Sequence, residues 1–399
     1  ERQLAAKLTG YDPGCVTPGG LDVDKIGPAN NEPVAETFEL DEDGNEVEQR
    51  SDPTPVESAV ASSAFPHAVA PLPPSNVAGS KFGAYARTQA AAAPVDDAPH
   101  IEVQALAGTG KTTTLIEGCK EVKGIKSELT PSDQQRAVWE AMGAGKNDSI
   151  RVSSFASKIT DELKGRIEAC GLARLGVEGR GIHSLGLGAA TKRFGKLDAQ
   201  KAKWVVPDIV MGLLGKPGGK LNDLKKDDLD AVWAVDQLVS LCKQTMSEPT
   251  PENLDALTSR YDIEMNGGRA RVYDLVPQAL ERCLVPNGGR ITFDDMIWLP
   301  LKHDLPIYKV DLQIVDEAQD LNRMQQELIY RAGHRIAFIG DKHQAIFGFA
   351  GADSESMDRM RGFLAGNGRG CRTLPLTFTR RCGKAIVKEA PRYVPDFEA

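Results

Sequence analysis

Residues 101–113 constrain this chain more than any other stretch. Ile101, Val103 and Ala105 alternate with polar residues, the period of a strand with one buried face. Ala107-Gly108-Thr109-Gly110-Lys111-Thr112-Thr113 follows and runs into a helical pattern. Strand, glycine loop and helix in that order bring backbone N–H groups and a helix N-terminus to one point, where peptide dipoles favour an anion. A phosphate chain further needs a lysine for its β- and γ-phosphates and a hydroxyl for Mg2+. Gly108, Gly110, Lys111 and Thr112 supply these in sequence, with Ala105 standing where the general pattern has its first glycine. A nucleotide site is therefore expected over Ala107, Gly108, Thr109, Gly110, Lys111, Thr112 and Thr113, with Thr112 toward the metal.

Two further segments carry chemistry. Leu312-Gln313-Ile314-Val315 is an apolar strand that ends in adjacent carboxylates, Asp316 and Glu317. Beside a phosphate loop, the first carboxylate of such a pair holds Mg2+ and the second orients or deprotonates the attacking water. Ile336–Ile339 is a second apolar run, followed by Asp341 and Gln344. Gln344 can reach a γ-phosphate from there, and Asp341 is assigned to the same nucleotide site. Phe347 and Phe349 come next; aromatics so placed can stack on unpaired bases, at about 1–3 kcal/mol per base. Core packing is the commoner use of such rings.

Strand and helix patterns alternate from His100 onward, with further strands at Ile150–Phe155, Val310–Val315 and Thr373–Leu376. That alternation predicts an α/β fold with a parallel sheet. Residues 196–290 read as a helical insertion, with Val232, Val235, Leu238 and Leu241 on one face. Residues 1–95, rich in Pro, Ala and acidic side chains, are expected to be disordered. Net charge is −8, but residues 1–99 hold 6 Lys/Arg against 16 Asp/Glu. The acidity thus belongs to the tail and does not argue against nucleic-acid binding by the body. Seven scattered cysteines without a C-x-x-C pair argue against a zinc site or disulfide framework, and for a reducing cytoplasm. No apolar run is long enough for a membrane span.

Taken in order, the three chemical segments resemble motifs I, II and III of UvrD/Rep-like superfamily 1 DNA helicases, most closely the branch containing the F-box DNA helicase and related phage and bacterial proteins. Ser154–Leu163 resembles motif Ia, Gly181-Ile182-His183-Ser184-Leu185-Gly186 the next DNA-contacting segment, Thr292-Phe293-Asp294-Asp295-Met296-Ile297 the segment before motif II, and Leu374–Cys382 motif IV. The resemblance implies a P-loop NTPase of RecA-like fold over residues 96–370, a second RecA-like domain beginning at 371, ATP and Mg2+ as cofactors, and single-stranded DNA as partner. It implies 3′-to-5′ movement. Lys111 and Thr112 would bind phosphate and metal, Asp316 the metal, and Glu317 would be the catalytic base. Gln344 would sense the γ-phosphate, Arg381 would reach it from across the cleft, and Phe155, His183, Phe347 and Phe349 would line the DNA track.

Several positions depart from that pattern. Phe155-Ala156-Ser157 stands where this branch has Phe-Asn-Lys, Arg380 where an aromatic stacks on adenine, and Ala350 where an arginine is frequent. No adenine-reading glutamine is clear before the loop, Gln89 being a weak candidate; Gln134-Gln135 falls after it and reads as part of an ordinary amphipathic helix. The chain begins with Glu1, and 17 residues follow Cys382. A piece of a longer motor is therefore expected, one that binds Mg-ATP weakly and does not unwind DNA alone. Two other readings remain open, a nucleotide-gated single-stranded-DNA-binding regulatory module and the front half of an AddA/RecB-like helicase–nuclease.

Overall fold

The computed structural model describes residues 97–345, 355–392, 394 and 396–397. The expected tail over 1–95 and the segment with Phe347, Phe349 and Ala350 lie outside the described residues. Strands and helices alternate as β1 (His100–Ala105), α1 (Lys111–Val122), α2 (Asp133–Gly143), β2 (Ile150–Ser154), α3 (Ser157–Ala169), β3 (Val177–Gly179) and α4 (Ile182–Phe194). Four helices follow without a strand: α5 (Val205–Leu213), α6 (Lys226–Thr245), α7 (Pro251–Arg260) and α8 (Arg269–Cys283). The alternation resumes with α9 (Asp295–Lys302), β4 (Val310–Asp316), α10 (Arg323–Ala332), β5 (Gly333–Gly340), α11 (Ser356–Ala365), β6 (Cys371–Leu376) and α12 (Lys384–Glu389).

The strands form one sheet in the order β3-β2-β4-β5-β1-β6, and every pairing is parallel. Parallel neighbours require crossover connections, so helices cover both faces and central strands lose their polar side. β4 and β5 obey this: Leu312, Ile314, Ala337 and Ile339 face a core with α1, α2 and α3, while Val315, Ile336 and Phe338 face a second core. That second core runs without a break into the helical insertion, where Val232, Val235, Leu238 and Leu241 are all buried.

A buried ion pair joins the insertion to the sheet layer. Lys243 Nζ of α6 lies 2.7 Å from Asp295 Oδ1 of α9, and both side chains are buried. Lys243 also sits over the Trp298 ring, 5.1 Å from its centroid. Removing one partner of such a pair leaves an uncompensated buried charge, a cost of about 3–5 kcal/mol. Asp295 serves twice, because its Oδ2 accepts from Thr292 N (2.9 Å) while Thr292 Oγ1 accepts from Asp295 N (3.1 Å). These reciprocal bonds close the turn that leads into α9.

One expected boundary is corrected. Residue 371 does not open a second domain: β6 pairs with β1 from His100↔Cys371 to Ala105↔Leu376 and is the edge strand of the first sheet. An isolated strand pattern does not reveal which neighbour it joins, whereas register does.

His100 opens β1 and is buried, its Nδ1 accepting from Ile336 N of β5 at 3.1 Å. Burial, then the nearby Arg369 and Arg335 charges, lower its pKa from 6.5 to about 4. The folded state keeps the ring neutral while the unfolded chain takes up a proton, so stability falls as pH drops from 6.5 toward 4. The loss across that window is on the order of 3 kcal/mol. Urea unfolding at pH 7 and pH 4.5 will show this slope, and His100→Gln, whose carbonyl accepts without titrating, will flatten it.

Candidate nucleotide-binding site

All six strands end on the same edge of the sheet, and the register aligns Ala105 with Leu376, Gln104 with Gly340, and Ser154 with Asp316. Ligands of open parallel sheets bind beyond these C-terminal ends. The loop after β1 is built for an anion. Gly108 and Gly110 adopt φ 73° and 80°, values that L side chains rarely tolerate. Thr109 Oγ1 donates to Leu106 O at 2.8 Å and turns inward. α1 starts at Lys111 with no side chain capping it, so its first N–H groups face the loop without intrahelical acceptors. Ala107, Gly108, Thr109, Gly110, Lys111 and Thr112 are thus gathered around the loop, while Thr113 is exposed.

β4 delivers the acidic pair to the same point. Thr112 Oγ1 donates to Asp316 Oδ2 at 2.8 Å, and Lys111 Nζ pairs with the Glu317 carboxylate. Glu317 N in turn donates to Asp316 Oδ1 at 3.0 Å. Glu317 holds φ 54°, a left-handed conformation that costs a non-glycine residue about 1–2 kcal/mol. That turn lets two adjacent carboxylates point to one centre although neighbouring strand residues face opposite ways. Burial, then the Glu317 charge, raise the Asp316 pKa to about 6, opposed by Lys111 and Thr112.

β5 lies between β1 and β4, so its exit enters the site from the middle. Asp341 is buried, accepts from His343 N at 3.0 Å, and has its pKa raised mainly by burial. Gln344 closes the short turn there, its N donating to Asp341 O at 2.9 Å. One residue escaped the sequence reading. Gln319 Nε2 donates to Glu317 Oε2 at 2.9 Å, and its Oε1 accepts from Asp341 N at 3.1 Å. It bridges the exits of β4 and β5, and its position two residues past the acidic pair was the available signal.

Arg381 sits nearer than expected. It leaves β6 on the same sheet, and its Cβ lies 2.8 Å from where a Gly108 Cβ would be, with Thr379 Oγ1 at 2.7 Å. Gly108 is therefore glycine for packing as well as for backbone angle. Phe155 follows β2 directly and is partly buried against the second core. His183 lies in the first turn of α4; burial lowers its pKa and the Asp294 charge opposes this. Both stand past the same sheet edge, away from the loop's own contacts.

The residues fit Mg-ATP. Magnesium takes hard oxygen ligands and keeps several waters, so one carboxylate, one hydroxyl and phosphate oxygens suffice. Asp316 and Thr112 supply that pair, and a cation beside Asp316 would offset its burial. Among the described residues no group of three His, Cys, Asp or Glu side chains is arranged to hold a metal alone.

A phosphate loop after one strand, with an acidic pair ending a strand two places away, defines a P-loop NTPase of RecA-like arrangement. The model of the UvrD/REP helicase N-terminal domain matches residues 86–364, and the chain belongs to that family. It is also similar to F-box DNA helicase protein 1 of Schizosaccharomyces pombe (strain 972 / ATCC 24843), 49% identical over 47 residues. That match spans 12% of this chain and 5% of the relative. Among the described residues no helix is long and apolar enough to cross a membrane.

Glu317 occupies Lys111, the cation a phosphate needs. Glu317→Gln removes that competitor while keeping its shape. A fluorescent ATP analogue will bind about tenfold tighter to this variant, the equivalent of one weakened charged contact.

Proposed function

We propose that the chain is the ATP-binding part of a DNA helicase that moves 3′ to 5′ along single-stranded DNA. The observation that carries this reading is the convergence of Lys111, Thr112, Asp316 and Glu317 on one centre from two separate elements, in a chain of the UvrD/REP family. Lys111 binds β- and γ-phosphate oxygens, and the first-turn N–H groups of α1 hold the rest of the phosphate chain. Asp316 and Thr112 would hold magnesium, whose charge neutralises the phosphates during transfer. Glu317, released from Lys111 by the nucleotide, accepts the proton of the attacking water. Gln319 keeps that carboxylate oriented, and Gln344 and Arg381 contact the γ-phosphate. Phe155, His183, Phe347 and Phe349 are the residues assigned to DNA contact. F-box DNA helicase protein 1 is a DNA helicase by name, and the shared segment supports the same substrate class here.

Phosphate release by the 399-residue chain, with and without single-stranded DNA, tests the reading. DNA is expected to stimulate hydrolysis, and Lys111→Ala to lower it by at least about 10²-fold, as losing a charge-stabilising donor does. Nucleotide binding with no DNA-stimulated turnover would favour the nucleotide-gated regulatory module. Loss of neither binding nor turnover in Lys111→Ala would refute the site.

A further inference from the structure

Two consecutive glutamines on α2 do more than an ordinary amphipathic helix requires. Gln134 Oε1 accepts from Thr377 N at 2.9 Å, and its Nε2 donates to Thr377 Oγ1 at 2.7 Å. The amide thereby grips the first residue beyond β6 at both backbone and side chain. Gln135 is buried, and its Nε2 donates to Thr114 Oγ1 at 3.0 Å. Its Oε1 accepts from Ser132 N at 3.1 Å and from Arg380 Nη2 at 3.0 Å. Thr114 Oγ1 passes the chain on to Gly110 O at 3.0 Å, and Arg380 N donates to Gly108 O at 3.0 Å.

These contacts close a ring. It leaves the phosphate loop at Gly108, crosses to Arg380, passes through the Gln135 amide to Thr114, and returns to the loop at Gly110. Only the Ser132 contact is needed to cap α2. An exposed arginine tethered to a buried amide is a poor use of either group unless their relative position matters. Neighbouring helix residues diverge by about 100°, which lets Gln134 reach the β6 exit while Gln135 reaches α1.

We propose that Gln134 and Gln135 are positioning residues that lock the Thr377–Arg381 segment to the phosphate loop and so set where Arg381 stands relative to the γ-phosphate. The proposal rests on reading Gly108–Thr112 as the ATP site. It assigns α2 a coupling role: a shift of the segment beyond β6 moves both glycines of the loop together, through Arg380 N on one side and Thr114 on the other. A contact that acts only through Arg381 matters when a γ-phosphate is present and little when it is absent.

The test measures the affinity of the 399-residue chain for Mg-ATPγS and for Mg-ADP, with thermal melting as a check on folding. Gln135→Ala and Arg380→Ala are each expected to weaken Mg-ATPγS binding by about tenfold, the size of one lost charge-assisted hydrogen bond. Mg-ADP binding should change less than about twofold, which general damage to the fold would not allow. The double variant should be no weaker than either single one, because both break the same link. Gln135→Glu keeps the acceptor for Arg380 and loses the donor to Thr114, so it should match Thr114→Val and not Gln135→Ala. Arg380→Ala alters a surface side chain and stays informative if Gln135→Ala fails to fold. Equal losses for ADP and ATPγS, or additive losses in the double variant, would overturn the coupling. Absence of any nucleotide binding by the unmutated chain would overturn the site assignment itself, and this proposal with it.

Discussion

Uniform parallel pairing is the constraint on which the rest of the structure depends. A parallel strand cannot return by a hairpin, so each must be followed by a crossover, and each crossover begins at the same edge. Six exits therefore face one another although they are far apart in the chain. Lys111 and Glu317 are 206 residues apart, yet they form an ion pair. The order β4-β5-β1 then sets roles by position: phosphate loop on one side, acidic pair on the other, Asp341 and Gln344 between.

Energetically the sheet is held by its two cores, and they are not equivalent. The core under α1, α2 and α3 is the smaller, lies directly behind the phosphate loop, and has the buried Arg335 at its margin, donating to Met142 O. The other extends through the helical insertion and accepts buried charge at Lys243 and Asp295. Such a pair contributes little net stability against apolar replacements, but it tolerates only one arrangement of its partners. It fixes α9, and with it the start of β4, against α6.

Much of this was legible in the residues. Glycines at 108 and 110, a lysine and a threonine after them, and apolar runs ending in carboxylates have few other physical uses, so the loop and acidic pair could be read directly. β3 was missed because three residues, Val177–Gly179, carry no period. The membership of β6 was misplaced because its alternation is the same whichever sheet it joins. Gln319, Gln134 and Gln135 were underread for a different reason. An amide has no charge and no periodic signature, and its importance comes wholly from partners between 2 and 245 residues away. Phe155 shows the converse: its type suggested a base-stacking surface, and what the fold displays is its packing against the second core.

The left-handed turn at Glu317 has an electrostatic consequence. By folding two adjacent carboxylates toward one centre, with Asp341 close enough to sense both Glu317 and Lys111, it gathers negative charge around that lysine. A bare triphosphate approaching that centre meets repulsion as well as attraction. The balance turns favourable only when the polyanion arrives already carrying a divalent counter-ion. For a nucleotide bound as proposed, preference for the metal-loaded form would thus begin in the backbone geometry of one residue, ahead of any direct ligand contact.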